Sequence, residues 1–309
     1  MSAPGESSRN RPAADRLSIG GALAANVHSR GLSYRPIVQD VEAFTLIDAR
    51  GQVLRCSRQE NTELFRLAIG GYGLFGVIAT VRLRLAPRQK IERVVEVTDV
   101  AGIADRFAER IEQGFLFGDF QYSTDVDSES LLRQGVFSCY RPVAPDTPVP
   151  ESLHALSRDN WLSLLELGHL NRAEAFNQYS SYYLGTNSQV YWSDTHQLST
   201  YIDDYHLELG RRIGPLSQGT EMITEIDIPR DALGPFLQEV RADFIEHEAN
   251  LIYGTIRMIE RDEETFLAWA REPWACVIFN LHTAHDAESL DRTAQHFRKL
   301  IDRGRAHGG

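Results

Sequence analysis

The sequence predicts an α+β fold, a mainly antiparallel sheet covered by helices. Three observations carry this. First, residues 91–123 and 221–283 each run strand, helix, strand. "IERVVEVT" leads to Ile103, Phe107 and Ile111 at helical spacing and then "FLFGDFQYS". "EMITEIDIP" leads to a helix with Leu233, Phe236, Leu237, Val240 and Phe244 on one face, then "LIYGTIRMIE" and "WACVIFNLHT". Second, "VIATVRLRL" alternates apolar and polar residues and is rich in β-branched side chains, the pattern of a half-buried strand. Third, the two rounds are separated by an insertion, roughly 145–215, helical in parts and rich in tyrosine ("NQYSSYYLG", "QVYW"). Such insertions serve as lids or binding walls or are plain surface excursions. Two rounds of this kind place helices on one face of an antiparallel sheet.

Along the chain, residues 1–16 are polar and rich in Pro, Ser and Arg, so disorder is expected there. Order begins at "LSIGGALAANVH". From residue 40, "DVEAFTLIDARGQVLRCS" reads as two short strands around the turn "DARG". "NTELFRLAI" carries Leu64, Phe65, Ala68 and Ile69 at helical spacing, with Asn61 placed as an N-cap. Gly71, Gly73 and Gly76 then spell G-x-G-x-x-G. A dinucleotide turn needs a strand before these glycines and a helix after them, so that helix amides face the pyrophosphate. Here the helix comes first and the strand second. The motif is therefore a tight helix-to-strand connection, not a Rossmann fingerprint. A last helix carries Leu290, Ala294, Phe297, Leu300 and Ile301. The expected division is a tail at 1–16, one domain at 17–90 and another at 91–309.

Composition narrows the function. The 309 residues are 42% hydrophobic and 24% charged, ordinary for a globular chain. A formal charge of −11 without a basic stripe argues against nucleic acid. Cys56, Cys139 and Cys276 lack C-x-x-C spacing, which points to a reducing compartment and no metal framework. No apolar run reaches about 18 residues and residues 1–15 lack a signal-peptide core, so a cytoplasmic protein without a membrane span is expected. Oligomeric state is not legible. No G-x-S-x-G, H-E-x-x-H or G-K-[ST] is present, which removes common hydrolase and nucleotidase readings.

Several spaced elements follow one another in order: S-x-G-G-A, N-x-H, the strand pair around "DARG", S-x-x-x-N-x-E-L-F and GG-x-G-x-F-G-V-I. Over residues 18–87 this run resembles the second half of the FAD-binding domain of the vanillyl-alcohol oxidase superfamily (PCMH type), in particular alditol oxidases and related sugar-oxidising flavoenzymes. Residues 88–309 resemble the cap or substrate domain of these enzymes more loosely. The resemblance implies FAD as cofactor, contacted by Ser18, Gly20, Gly21, Ala22, Ala25, Asn26 and His28, with Gly76 and Ile78 adding to them. Read without it, His28 is a structural histidine capping the turn. The family's first subdomain, with its R-G-G-G-H-S type pyrophosphate cradle, has no counterpart in residues 1–17, and the family continues beyond the position of "GRAHGG". The chain is therefore expected to be truncated at its N-terminus and at its C-terminus, and as written not to retain FAD.

The resemblance also implies the chemistry, oxidation of a hydroxyl (CH-OH) on a small alcohol, sugar or polyol by an oxidase or dehydrogenase. Its alternatives are a flavin-dependent C=C reductase and a non-catalytic remnant. Relatives carry E-x-R on a sheet strand. Here "TIR" keeps the arginine as Arg257 and replaces the acid by Thr255. The proton acceptor is unassigned, with Tyr253 and His307 as candidates. Gln121 and Tyr122 face either substrate or solvent. Glu221 and Glu225, four apart on one strand, share a face and read as a solvated pair. His282 and His285 in "HTAH" lack an acidic or cysteine partner at ligand spacing, so no metal is expected.

Overall fold

The computed structural model describes residues 6–8, 17–196, 198, 200, 202–214 and 218–309. Most of the expected tail lies outside them. Glu6–Ser8 departs from the expected disorder: it forms strand β1, antiparallel to β5 (Leu85–Pro87). The backbone edge of a short strand such as β5 accepts another segment readily.

The first unit holds α1 (Ile19–Ala24), β2 (Val41–Ile47), β3 (Val53–Ser57), α2 (Thr62–Ala68) and β4 (Val77–Leu83). Its three strands form an antiparallel sheet in the order β3-β2-β4. The "DARG" turn closes as expected, with Asp48 Oδ1 accepting from the amides of Arg50 and Gln52 at 2.8 Å each. Asn61 precedes α2 but does not cap it with its side chain, which donates to Arg55 O at 2.7 Å instead. One sheet face buries Phe44, Leu46 and Cys56 against Leu23, Phe65 and Ile69, and the Phe44 and Phe65 rings stack at 5.4 Å. The other face leaves Ile47, Val53 and Val77 exposed. They form one row, since Ile47 pairs with Val53 on one side and Val77 on the other.

The second unit is a seven-stranded sheet with every pairing antiparallel. In chain order it contains β6 (Lys90–Asp99), α3 (Ile103–Glu112), β7 (Phe117–Tyr122), β8 (Gln134–Pro142), α4 (Arg158–Leu170), α5 (Arg172–Gly185), β9 (Val190–Trp192), α6 (Tyr205–Ile213), β10 (Thr220–Pro229), α7 (Leu233–Glu246), β11 (Leu251–Ile259), β12 (Trp274–Thr283) and α8 (Ala287–Ala306). The spatial order is β10-β12-β11-β7-β8-β6-β9. Helices α3, α7 and α8 cover one face, with Phe107, Phe236, Phe244, Phe279 and Leu300 in the core between. The sequence reading placed helices on one face only. The insertion supplies α4, α5 and α6 over part of the other, and β12 is consequently buried along its whole length.

The two units interlock across the expected boundary at residue 90. Residues 30–32 run beside β7: Gly118 N donates to Arg30 O and Leu32 N to Leu116 O, both at 2.9 Å. The loop after β11 returns to the first unit, where Arg58 Nε meets Glu264 at 2.6 Å and Trp269 Nε1 donates to Asn26 O at 3.0 Å.

Candidate functional site

The first unit contributes a wall of small residues. Ser18 caps α1 by accepting from Gly21 N at 3.0 Å. Gly20 lets α1 lie against β4: a Cβ there would sit 3.2 Å from Ile78 O. The structure thus brings the Ser18–Ala25 stretch beside Gly76 and Ile78. Gly76 is glycine for a reason internal to the fold. Its φ of +139° is in a region that side chains avoid, and a Cβ would come 2.5 Å from Ile47 O. Ile78 presents its backbone to α1 while its side chain joins the core.

Not every residue assigned to this wall faces outward. Ala22 is buried in the core. Asn26 is fully buried, its amide donating to Asp262 Oδ2 at 2.9 Å and its carbonyl accepting from Val38 N at 3.2 Å. Its side chain is a clamp between the units. His28 sits at the junction with the large sheet, Nε2 3.1 Å from Glu225 Oε2 and its ring edge-on to Trp269. What remains is exposed Ser18 and Gly21, with exposed Leu17 and Ile19 next to them in the chain and exposed Tyr72, whose amide donates to Ala24 O at 2.8 Å. Such a surface fits one flank of a flat, extended cofactor such as FAD.

A cavity of about 660 Å³ lies between the large sheet and the insertion helices α4, α5 and α6. The pleat selects its floor: Glu221 and Glu225 on β10, Tyr253 and Arg257 on β11, Gln121 on β7 and Asn280 on β12. The carboxylate pair read as solvated therefore lines a cavity. Gln121 faces it and accepts from Tyr179 OH at 2.6 Å, whereas Tyr122 donates across the sheet to Ile278 O at 2.5 Å. Thr255, in the place of the expected acid, is buried and donates to Asp119 Oδ2 at 3.1 Å. Asp119 also pairs with Arg30 at 3.4 Å.

Arg257 is 5% exposed, lines this cavity, and has a buried Nε without a partner among the described residues. A guanidinium in that state is a donor in search of an acceptor. Glu225 borders the cavity and keeps 41% of its side chain exposed. Burial would raise its pKa. The His28 hydrogen bond and charge, with the nearby Arg257 charge, outweigh that and hold it below the usual carboxylate range. Two residues on, Asp227 goes the opposite way, pushed up to about 6 by burial and by the charge of Glu225. Paired carboxyls driven apart in this manner divide into a base and an acid.

At the far end of the cavity Arg93 is enclosed by the rings of Tyr140, Tyr183 and Tyr191, at 5.1, 4.9 and 5.1 Å. Burial raises the pKa of Tyr179 and Tyr183, so these phenols act as neutral hydrogen-bonding walls.

His307 is not part of this constellation. It follows α8, meets Glu239 of α7 at 3.3 Å and packs on Phe236, within the helix layer. The structure therefore does not bring this proton-acceptor candidate to the cavity. Conversely, His282 has the partners that the sequence reading found missing. Glu221 is directly opposite it on β10, and His169 of α4 closes a cluster whose ligand atoms lie within 4.8 Å of one another. No local spacing reveals this, because His169 and Glu221 are 52 residues apart in the chain.

The mixture of helices and antiparallel sheets is consistent with a PCMH-type oxidase fold. No family model matches the chain. Among curated proteins it is similar to cytokinin dehydrogenase 4 of Oryza sativa subsp. japonica, 32% identical over 117 residues, which are 38% of this chain and 18% of that protein. It is also similar to L-gulonolactone oxidase of Bos taurus, 28% identical over 119 residues, or 38% of this chain and 27% of that protein. The same oxidase from Mus musculus is 34% identical over 79 residues, covering 26% and 18%. The chain thus spans less than a third of the length of these relatives. The matches support the superfamily named by the motifs and do not single out an alditol-oxidase type within it. Among the described residues, no helix is long and apolar enough to cross a membrane.

Proposed function

We propose that this chain forms part of an FAD-dependent oxidoreductase that oxidises a hydroxyl on a small alcohol, sugar or polyol held in the cavity. The observation that carries this reading is the buried Arg257, its Nε without a partner among the described residues, facing a cavity of about 660 Å³ beside the ionised Glu225. The names of the similar proteins, a dehydrogenase and an oxidase, support the reaction class. FAD, when bound, supplies the electron sink for the substrate C–H bond. Ser18, Gly21 and the exposed residues next to them would hold one flank of it.

The chain's own residues do the rest. Arg257 donates to the substrate oxygen and stabilises negative charge as the hydroxyl loses its proton. Glu225, backed by His28 at 3.1 Å, takes that proton, and Tyr253 lines the cavity beside them. The tyrosines of α5 exclude water from the far wall.

The test is anaerobic mixing of the flavin-loaded protein, expressed from its complete gene, with a panel of sugars, polyols and small alcohols. Bleaching of the flavin band without NADPH supports the proposal, and Glu225→Gln should slow bleaching by roughly 10²-fold or more. Bleaching by NADPH with no response to any alcohol would point to C=C reduction and sink the hydroxyl reading.

A further inference from the structure

Beyond the arginine end of the cavity lies the cluster of His169, Glu221 and His282. We propose that it is a binding site for a divalent transition-metal ion of the zinc type, with Glu221 at the border of the cavity. The proposal is independent of the flavin reading.

The donors come from elements that the fold fixes separately. Glu221 and His282 are direct partners in the β10–β12 register and so share the cavity-side face of the sheet. His169 descends onto them from the last turn of α4. The carboxylate is already oriented: its Oε2 accepts from Tyr205 OH at 2.6 Å and from Asn280 Nδ2 at 3.0 Å, leaving Oε1 3.3 Å from His169 Nε2. Outer hydrogen bonds of this sort position a ligating carboxylate.

Distances suit the ion. Bonds of about 2.0–2.1 Å in a tetrahedral arrangement separate neighbouring donors by roughly 3.3 Å. The His169–Glu221 pair has that separation now, 3.3 Å, and all donors lie within 4.8 Å of one another. Small side-chain rotations close the remainder.

A second observation points to a ligand. His282 is 8% exposed, and its Nδ1 is buried with no hydrogen-bond partner among the described residues. Its ring stands edge-on to His169 at 4.9 Å between centroids. A hydrogen-bonded triad alone would leave that nitrogen unsatisfied, at a cost.

The donor chemistry chooses the ion class. Two imidazoles with one carboxylate suit zinc and its first-row neighbours and disfavour Mg²⁺ and Ca²⁺, which prefer all-oxygen shells. Three protein ligands leave a coordination position vacant, as in catalytic rather than structural zinc sites. Of the three donors, Glu221 borders the cavity.

The experiment uses the full chain, untagged and freed of metal by dialysis against chelator. Co²⁺ is titrated in while visible absorption is followed, and Zn²⁺ is then added to displace it. One equivalent of Co²⁺ should give a d–d band that Zn²⁺ abolishes. Glu221→Gln and His282→Gln should each weaken binding by ~100-fold or more. His285→Ala, which removes a neighbouring histidine outside the cluster, should leave it unchanged. Zn²⁺ should raise the melting temperature of the wild type and not of the two ligand variants, which separates lost binding from lost folding. A wild type without the band and without the Zn²⁺ shift would show that the cluster holds no such ion and overturn the proposal. Equal Co²⁺ binding by Glu221→Gln would likewise overturn the proposal.

Discussion

The two faces of the large sheet are made from the same strands but do different work. On the helix side, Ala275, Val277, Phe279 and Leu281 of β12 meet Phe236, Val240 and Phe244 in a continuous apolar core. On the cavity side, the alternate residues Cys276, Ile278, Asn280 and His282 stand beside Glu221, Glu225, Asp227 and Arg257. Among the described residues, buried polar atoms without partners include Arg257 Nε, Asp227 Oδ1 and His282 Nδ1 on this face and His296 Nε2 in the helix layer. Such groups cost stability unless a ligand satisfies them. A strand with period two can therefore carry stability on one face and function on the other.

The largest effect should come from the helix face. Phe279 is fully buried and packs against Phe236 and Phe244, so Phe279→Ala should cost about 3–5 kcal/mol in urea unfolding. Arg257→Leu, on the other face of the neighbouring strand, should cost far less, because the guanidinium it removes is buried with an Nε that has no hydrogen-bond partner among the described residues. Similar losses in both variants would erase the distinction between the faces.

Acid should act next, again through the helix layer. His296 is buried in α8, and burial together with the charge of His247 lowers its pKa to about 4. The unfolded chain protonates it near 6.5, so between about pH 6.5 and 4 the unfolded state binds more protons. Stability from this group is full above 6.5 and is lost as pH falls toward 4, up to roughly 2–3 kcal/mol. His296→Leu should flatten that part of the pH–stability curve.

Asp227 gives a smaller effect of opposite sign on the cavity face. Its folded pKa of about 6 lies above the unfolded value, so its penalty develops as pH rises from about 4 to 6 and persists above. Asp227→Asn should stabilise the protein at pH 7 by on the order of 1–2 kcal/mol and have no effect near pH 4. Destabilisation at pH 7 would mean that the carboxylate is held by a favourable contact.

What the sequence revealed follows the same division. Helices α3, α7 and α8 and strands β6, β7, β10, β11 and β12 were legible because their apolar faces repeat at the period of their element. β8 was missed although it sits mid-sheet: "GVFSCY" is buried on both faces, so Gly135 and Ser138 interrupt the run and alternation is lost. β9 is only three residues long. Arg257 was reached through the E-x-R pattern that the resemblance supplies, matched by "TIR". The partnership of His28 with Glu225 was not, because 197 residues separate them and only the docking of the two units brings them together. Asn26 enters as a cofactor contact only through the resemblance, on its N-x-H element. Its amide, however, clamps the loop at Asp262.

The central claim is that the cavity face handles the substrate while the small-residue wall handles the flavin. Arg257→Ala in the flavin-loaded protein tests it most directly, with turnover, flavin content and melting temperature measured on one preparation. The account expects turnover to fall by roughly 10²–10³-fold, with flavin content and melting temperature unchanged. Loss of flavin in proportion to the loss of turnover would contradict it and make Arg257 a structural residue.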